Sequence, residues 1–388
     1  MKIAINGIGV AGPTLAYWLR KFGHEPVLFE RAPALRTGGY LIDYWGLGYE
    51  VAERMGILES LLEQGYRMQR MRIVNAEGKE ICGLDVAPVR EQLDGRFISL
   101  ARGDLAATLF RACEGIPAHF GLSIEGVEQD VDGVDVVLSD GGRQRYDLVI
   151  GADGLHSRVR ELVFGAESEF EHGLGCVVAT FRLHGYPHRD ELAYVSHTVP
   201  GRQVARISLR NDETLVFMVF RSELIGDAPT PDTISDTLRR VFGDMQWEVP
   251  RILQQVDAVD DIYFDRVSQI RLPRWSKGRV ALLGDAAACV SLLAGEGTGL
   301  AVTEAFVLAD ELRRAGGDYA QAFDAFENSL RPFLADKQKG ALRLRGFFAP
   351  KTSLSLFIRN LAIRLASIPL FTRSVVGASL RDDFVLPG

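Results

Sequence analysis

The chain of 388 residues is too long for one ordinary hydrophobic core and predicts two or three domains. Hydrophobic residues make up 47% and charged residues 24%, which excludes a disordered or fibrous protein. The net charge of −7 argues against binding of nucleic acid, because that function needs a concentrated basic face. The four cysteines form no CxxC pair, which favours buried free thiols over disulfides.

No stretch of the sequence predicts a membrane-spanning segment. A span needs about 20 consecutive apolar residues, and the nearest run, residues 354–371, is interrupted by Arg359 and Arg364. The apolar start of the chain is broken by glycines from residue 7 onward and does not fit a signal peptide. We therefore expect a cytoplasmic protein without integral membrane contact.

Four apolar runs predict the strands of one buried parallel sheet, at residues 2–6, 26–30, 148–150 and 280–283. A helix predicted over residues 13–22 joins the first two as a strand–helix–strand unit. Further helices are predicted over residues 46–64 and 104–114. Ligands of open parallel sheets bind at the carboxyl ends of the strands, so the turns after these strands are predicted to converge on one ligand.

Other segments have a different pattern. Residues 70–82 and 174–222 alternate apolar and polar side chains, which is typical of half-buried antiparallel strands. The last ninety residues predict helices over 298–314, 319–346 and 352–368. We therefore predict an α/β fold: a Rossmann-type domain of residues 1–70, 98–165 and 265–330 is interrupted by an antiparallel-sheet substrate domain of residues 71–97 and 166–264 and followed by a C-terminal helical segment of residues 331–388.

The sequence GIGVAG at residues 7–12 follows the first strand and opens the first helix. Its glycines allow a sharp turn, close approach of a pyrophosphate and close helix–strand packing, while the helix N-terminus supplies oriented N–H groups. Glu30 ends the second strand, where a carboxylate accepts hydrogen bonds from the hydroxyls of an adenosine ribose. This pattern predicts a dinucleotide site but does not distinguish FAD from NAD.

Two further motifs indicate a flavin. The first is DLVIGADG at residues 147–154, and the second is GDAA at residues 284–287 with GEGTG at residues 295–299. Asp285 at a strand end is suited to a sugar-alcohol hydroxyl, although a helix-capping role explains it equally well. The glycines of residues 295–299 present backbone N–H groups at a helix N-terminus, which stabilises an anionic reduced flavin.

The three motifs, in this order, resemble those of the single-component (class A) flavoprotein monooxygenases, the group similar to p-hydroxybenzoate hydroxylase. Residues 36–43 look like the loop that lies along the flavin ring in the tetracycline-inactivating branch. Arg102 matches an arginine that contacts the ribityl and phosphate region in this family. The residues expected to bind FAD are Gly7, Gly9, Val10, Ala11, Gly12, Glu30, Arg31, Arg36, Asp43, Arg102, Asp153, Gly284, Asp285, Gly295, Gly297, Thr298 and Gly299.

The resemblance implies that NADPH or NADH reduces FAD, that O2 adds at the flavin C4a carbon, and that the hydroperoxide transfers one oxygen atom to an organic substrate. The flavin carries this chemistry, so no catalytic side chain and no metal site is assigned. The expected partners are O2 and a hydrophobic small molecule, aromatic or polyketide-like, with antibiotic inactivation as a narrower form. The protein is expected to be a monomer or weak homodimer.

The chain departs from the family pattern beside the expected flavin ring. Val290 and Leu292 stand where relatives carry proline, and Glu296 replaces a usual glutamine. A carboxylate facing the ring would oppose the anionic reduced flavin unless it points away or is protonated. Two alternatives to a monooxygenase therefore stay open: another flavin oxidoreductase, and a binding protein or non-redox cyclase with structural FAD.

The inserted sheet is predicted to cover the flavin. Tyr44 and Phe217 are candidates to contact the substrate with their rings, and Arg206 is a candidate to bind a phenolate or carboxylate. Core packing of the aromatic residues and surface exposure of the arginine are the commoner explanations.

The helix predicted over residues 352–368 has an apolar stripe with Arg359 and Arg364 opposite to it. Two placements fit this pattern. The helix lies on a membrane surface, or it packs over the two domains and closes the substrate channel, as the C-terminal helix does in relatives. The second placement is the preferred one.

Overall fold

The computed structural model describes residues 1–35, 39–226, 229–259, 261–367 and 382–388. The strands are β1 (Lys2–Asn6), β2 (Glu25–Glu30), β3 (Leu41–Trp45), β4 (Arg70–Val74), β5 (Glu80–Asp85), β6 (Phe97–Ala101), β7 (Ala118–Phe120), β8 (Ile124–Gln129), β9 (Val134–Leu138), β10 (Arg143–Tyr146), β11 (Leu148–Gly151), β12 (Glu171–His184), β13 (Ala193–Val199), β14 (Arg202–Ser208), β15 (Glu213–Arg221), β16 (Tyr263–Ile270), β17 (Ser276–Lys277) and β18 (Val280–Leu282). The helices are α1 (Ala11–Lys21), α2 (Gly46–Met55), α3 (Leu58–Gln64), α4 (Ala87–Gln92), α5 (Arg102–Arg111), α6 (Arg158–Val163), α7 (Ile234–Phe242), α8 (Val249–Gln255), α9 (Asp285–Ala288), α10 (Gly297–Arg314), α11 (Tyr319–Phe348) and α12 (Ser353–Ala366).

A six-stranded sheet has the strand order β17-β18-β11-β1-β2-β7. The four strands predicted from the apolar runs are adjacent and parallel, with Ala4 of β1 opposite Val149 of β11 and Val27 of β2. Strands β1 and β11 are buried on both faces, which explains why their sequences are continuously apolar rather than alternating. The prediction of a buried parallel sheet is confirmed.

The helix predicted over residues 46–64 is instead two helices, α2 and α3. Gly56 ends α2 in the left-handed conformation, with φ of 73°. A glycine adopts this conformation without the steric cost that a Cβ atom brings, so the chain turns here. The periodicity of the apolar residues continues across this break. The sequence pattern therefore did not reveal that there are two helices.

A seven-stranded sheet has the order β16-β12-β15-β14-β13-β4-β5. It combines the hairpin β4–β5 with strands that lie about a hundred residues later, as expected for a sheet inserted into the first domain. Its pairs are antiparallel except that β4 runs parallel to β13. The predicted antiparallel sheet is therefore mixed at one position, where the two separate pieces of chain meet.

The C-terminal helices are present. Helix α12 packs on β5 and β13 of the seven-stranded sheet, and its closing of the substrate channel stays a prediction. In α12 the apolar stripe is exposed, whereas Arg359 is buried against the seven-stranded sheet. After α12, the described residues resume at 382, and this tail packs back on the molecule through Leu386 and through Phe384, whose ring stacks on Phe333. Within the described ranges, no helix has the length and apolar character needed to cross a bilayer.

The four cysteines are Cys82, Cys113, Cys176 and Cys289, and all are described and buried without a disulfide among them. The prediction of buried thiols is confirmed.

Gly12 allows α1 to lie directly against the turn that precedes it. A Cβ atom on Gly12 would overlap the carbonyl oxygen of Gly7 and contact Ile5. We expect Gly12→Ala to lower the free energy of unfolding by about 1–3 kcal/mol, as overpacking does, in a denaturant titration of the apoprotein. Gly340→Ala in α11, where a Cβ atom meets no neighbour, is the control and should stabilise slightly. Equal effects of the two variants would contradict this account.

Candidate functional site

A cavity of about 470 Å³ lies at the carboxyl ends of the parallel strands. It is bounded by the turns after β1, β2, β11 and β18, by the start of α10, and on the far side by β12 and β16 of the seven-stranded sheet. The turns predicted to converge on one ligand do converge. The cavity also connects the two sheets, so a molecule bound along the parallel sheet would reach the inserted one.

The turn after β1 is held by backbone contacts that leave its outer side open. The amide of Gly7, at φ of 115°, donates to the carbonyl of Phe29 at 2.7 Å. The two carboxylate oxygens of Glu30 accept hydrogen bonds from the amides of Ile8 and Ala32, each at 2.9 Å. These contacts fix Glu30 at the cavity wall.

Two helices, α1 and α10, point their N-termini at the cavity. Neither of the N-cap residues, Val10 and Glu296, makes a side-chain capping bond among the described residues. The first N–H groups of an α-helix have no partner within the helix. Both N-termini therefore offer hydrogen-bond donors and partial positive charge to a ligand in the cavity.

Asp285 and Arg102 lie at the middle of the cavity. Burial raises the pKa of Asp285, and the nearby guanidinium of Arg102 opposes that rise. The side chains of Cys289 and Tyr40 complete this cluster, and burial raises the pKa of Tyr40 to about 12. The cluster provides a carboxylate, a cation and a neutral phenol on one wall.

Asp153 lines the cavity but is strongly bound to its own protein. Its carboxylate accepts hydrogen bonds from the side chain of Asn6 at 2.9 Å and from the amides of Arg158 at 2.9 Å and Val159 at 3.1 Å. It also accepts a hydrogen bond from the hydroxyl of Ser157. Asp153 therefore anchors the start of α6 to β1 and shapes the cavity wall.

The structure brings most of the predicted cofactor residues to the cavity. Those that line it are Gly7, Gly9, Val10, Ala11, Glu30, Arg31, Arg102, Asp153, Asp285, Gly295, Gly297 and Thr298. The others lie behind it or beside it: Gly12 and Gly284 pack behind the wall, and Gly299 and Asp43 line a smaller neighbouring cleft. Arg36 lies outside the described residues.

The three substrate candidates lie outside the cavity lining, each for a different reason. Tyr44 is a core residue, 1% exposed, whose hydroxyl donates to the carbonyl of Gly48 at 2.6 Å. Arg206 is buried, and its guanidinium pairs with the carboxylates of Asp190 and Glu248, each at 2.7 Å. These two ion pairs occupy guanidinium nitrogens that would otherwise bind a substrate anion. Phe217 is half-buried on β15, on the same face of the sheet as the cavity-lining Val178 but beside the lining.

Sequence reasoning missed several side chains that the fold brings to the cavity. Tyr263 and Asp265 lie on β16, and the ring of Tyr263 is 6.1 Å from that of Tyr40. His156 contacts Asp265 at 3.3 Å and Glu167 at 2.8 Å, and the hydrogen bond to Asp265 raises the pKa of His156 to about 9. The alternation along β16 was a possible signal, but no local motif marks these residues.

Comparison with known proteins agrees with this geometry. The family described as "FAD binding domain" matches residues 1–322. A flavin-dependent monooxygenase of Legionella longbeachae is 34% identical over 365 residues, covering 92% of this chain and 91% of that protein. The crystal structure of tetracycline destructase Tet(51) superposes with a TM-score of 0.84 at 31% identity, covering 100% of this chain and 98% of the other.

The chain belongs to the single-component flavoprotein monooxygenases. It is an FAD-dependent oxidoreductase, in agreement with the resemblance inferred from the motifs. The fold alone is also shared with Klebsiella pneumoniae HpxO, solved with FAD and uric acid, at 22% identity and a TM-score of 0.81 over 98% of this chain and 97% of that one.

In this flavoprotein monooxygenase, Glu296 points away from the main cavity. Its neighbours Gly295 and Gly297 line that cavity, whereas the Glu296 side chain lines the smaller cleft. The ammonium of Lys337 lies 2.9 Å from the Glu296 carboxylate and 2.9 Å from that of Asp382 in the C-terminal tail. Burial raises the pKa of Glu296, and the ion pair with Lys337 opposes this. The carboxylate that replaces the family's glutamine is thus compensated by a cation from α11.

Glu304 is a buried carboxyl group behind the cavity. It is 2% exposed and accepts a hydrogen bond from the amide of Gly284 at 2.8 Å. Burial raises the pKa of Glu304 to about 8, and the nearby Asp285 adds to the rise. The group is therefore largely protonated at neutral pH.

The raised pKa of Glu304 predicts a pH-dependent stability. The folded state holds the Glu304 proton up to about pH 8, while the unfolded group loses it near pH 4.5, so this residue lowers stability progressively as pH rises between the two values. Glu304→Gln does not titrate and keeps a carbonyl acceptor for Gly284. We expect its Tm, relative to the native chain, to rise by several degrees, about 2–4 °C per kcal/mol, between pH 5 and pH 9. Parallel Tm curves for the two proteins would contradict the buried protonated carboxyl.

The pairing of Glu296 predicts how charge at this position affects flavin reduction. Because Lys337 neutralises the carboxylate, Glu296→Gln should leave the rate of flavin reduction nearly unchanged in stopped-flow absorbance. Lys337→Met leaves two carboxylates uncompensated and should slow reduction by about tenfold, or about 1.4 kcal/mol of charge repulsion. Lys339→Met, two residues along α11, is the control. A clear acceleration in Glu296→Gln would show that the carboxylate acts on the flavin after all.

Proposed function

We propose that this enzyme uses NADPH or NADH and O2 to hydroxylate a hydrophobic aromatic or polyketide-like small molecule, with antibiotic inactivation as a narrower possibility. The observation that carries the proposal is the cavity that begins at the turn after β1 and ends at β12 and β16 of the inserted sheet. A likeness to tetracycline destructase Tet(51) at 31% identity supports the polyketide-like class.

The residues along the cavity fit FAD in one orientation, with the adenosine near β2 and the flavin ring near the start of α10. The N–H groups at the start of α1 would bind the pyrophosphate, and Glu30 would accept the hydroxyls of the adenosine ribose. Asp285 and Arg102 would hold the ribityl and phosphate region, and the N-terminus of α10 would face the flavin ring. When bound, FAD supplies the redox chemistry: two electrons from the nicotinamide and transfer of one oxygen atom from O2.

The far end of the cavity suits an apolar substrate. Val178 of β12, Val267 of β16 and Leu292 line it, and Phe217 packs beside them, its ring 6.3 Å from that of Phe348 in α11. An apolar wall excludes water from the reacting atoms, which protects a reactive oxygen donor from side reactions. These side chains orient the substrate and keep the site dry.

The first test is a visible spectrum of the purified protein under anaerobic conditions, before and after NADPH and then NADH. A flavin spectrum that bleaches and recovers in air, followed by oxygen incorporation into a candidate substrate, supports the proposal. A flavin that stays oxidised with both nucleotides, in the presence of tetracycline and simple phenols, would contradict it and favour structural FAD.

The proposed role of Glu30 gives a separate prediction. Glu30→Gln should weaken FAD binding by about tenfold or more, as the loss of hydrogen bonds to a charged acceptor does, measured as quenching of FAD fluorescence on the apoprotein. Glu25→Gln, at the exposed start of the same strand, should leave the Kd unchanged. Equal Kd values for both variants would place the ribose elsewhere.

A further inference from the structure

Helix α12 contacts the seven-stranded sheet through a side that carries a charge. Ile363 packs beside Ile73 of β4. Arg359, only 7% exposed, donates hydrogen bonds to the carbonyl of Phe347 at 3.0 Å and to the hydroxyl of Thr198 at 3.2 Å. A buried guanidinium satisfied by several acceptors fixes the rotation of the helix, because turning it outward would leave these acceptors without a donor.

The opposite side of α12 is a continuous apolar stripe that faces outward. At 100° per residue the stripe covers an arc of about 100°, and its side chains are between 44% and 68% exposed. In the described part of the chain, half of the exposed large apolar side chains belong to this one helix. The stripe consists of Leu354, Phe357, Ile358, Leu361 and Leu365. Contiguous exposed apolar surface of this kind marks an interaction site.

The charge of this part of the sequence is strongly biased. Residues 337–367 contain seven Lys or Arg and no Asp or Glu, in a chain that has 44 basic and 51 acidic residues overall. Beside the stripe, Arg364 is exposed, and Lys351 has a side chain that is 65% exposed and lies 3.8 Å from the Glu223 carboxylate. An apolar stripe with Leu and Phe, on a helix that carries arginine and no acidic residue, is typical of helices that lie in the plane of a membrane surface.

We propose that α12 binds the surface of an anionic lipid bilayer, with the stripe inserted at the level of the headgroups and acyl chains. The charge favours lipid over other occupants. A symmetric contact with a second copy would place this basic region against itself, and like charges across an interface are repulsive. The proposal does not depend on which reaction the cavity supports.

The test is flotation of the full-length protein with two kinds of vesicle: pure phosphatidylcholine, and phosphatidylcholine with about one third phosphatidylglycerol. We expect binding to the anionic vesicles that weakens as salt is raised, because surface electrostatics are screened, and little binding to the neutral ones. The double variant Phe357→Gln with Leu361→Gln should lose at least tenfold in partitioning, since its two apolar side chains no longer insert. Lys351→Gln should lose about fivefold.

Ala362→Gln is the matched control, on the same helix but outside the stripe, and should bind as the native chain does. Three results would overturn the proposal. Absence of vesicle binding is the first. A concentration-dependent dimer that the double variant abolishes, without vesicle binding, would assign the stripe to a second copy. A fall in the Tm of the double variant in solution would show that the stripe is packed against the chain itself.

Discussion

The close approach of the turn after β1 to its neighbours is the constraint on which the site depends. A side chain on Gly7 would overlap the backbone of Ala152 at the end of β11, and one on Gly12 would overlap Gly7 itself. Gly7 and Gly12 lack side chains, and for this reason the start of α1, the end of β11 and Glu30 can all border the cavity. The parallel register of β1, β2 and β11 then sets where the cavity opens.

Around that space, the protein deals with buried carboxyl groups in two different ways. Glu296 is paired with Lys337, whereas Glu304 is held in its neutral form by burial. With FAD bound as proposed, both arrangements would keep negative charge from accumulating beside a flavin that becomes anionic on reduction. The tail residue Asp382 shares Lys337 with Glu296, so the very end of the chain takes part in the charge balance of the site. No local sequence pattern links these three residues.

The second sheet and the C-terminal helices place the apolar end of the cavity and also create a separate exposed surface. α11 brings Phe348 next to Phe217, so the two rings pack beside the apolar end of the cavity. α12 then turns its charged side to the sheet and its apolar side outward. The proposed oxygen-transfer site and the proposed lipid-binding surface thus lie on one molecule, although neither proposal requires the other.

The sequence by itself determined the parallel sheet, the glycine turn after β1, the place of Glu30 at the end of β2 and the start of α10, because each is a local pattern in which backbone geometry and residue type agree. It also identified the family, through three motifs whose order and spacing match that family. Only the tertiary structure decided which side chains share the cavity. Tyr44 and Arg206 were plausible by residue type, but core packing and two buried carboxylates occupy them. The stripe of α12 was visible in the sequence, yet which side of a helix is buried depends on its neighbours. There a buried arginine with several acceptors holds the charged side inward, a long-range arrangement that periodicity does not encode.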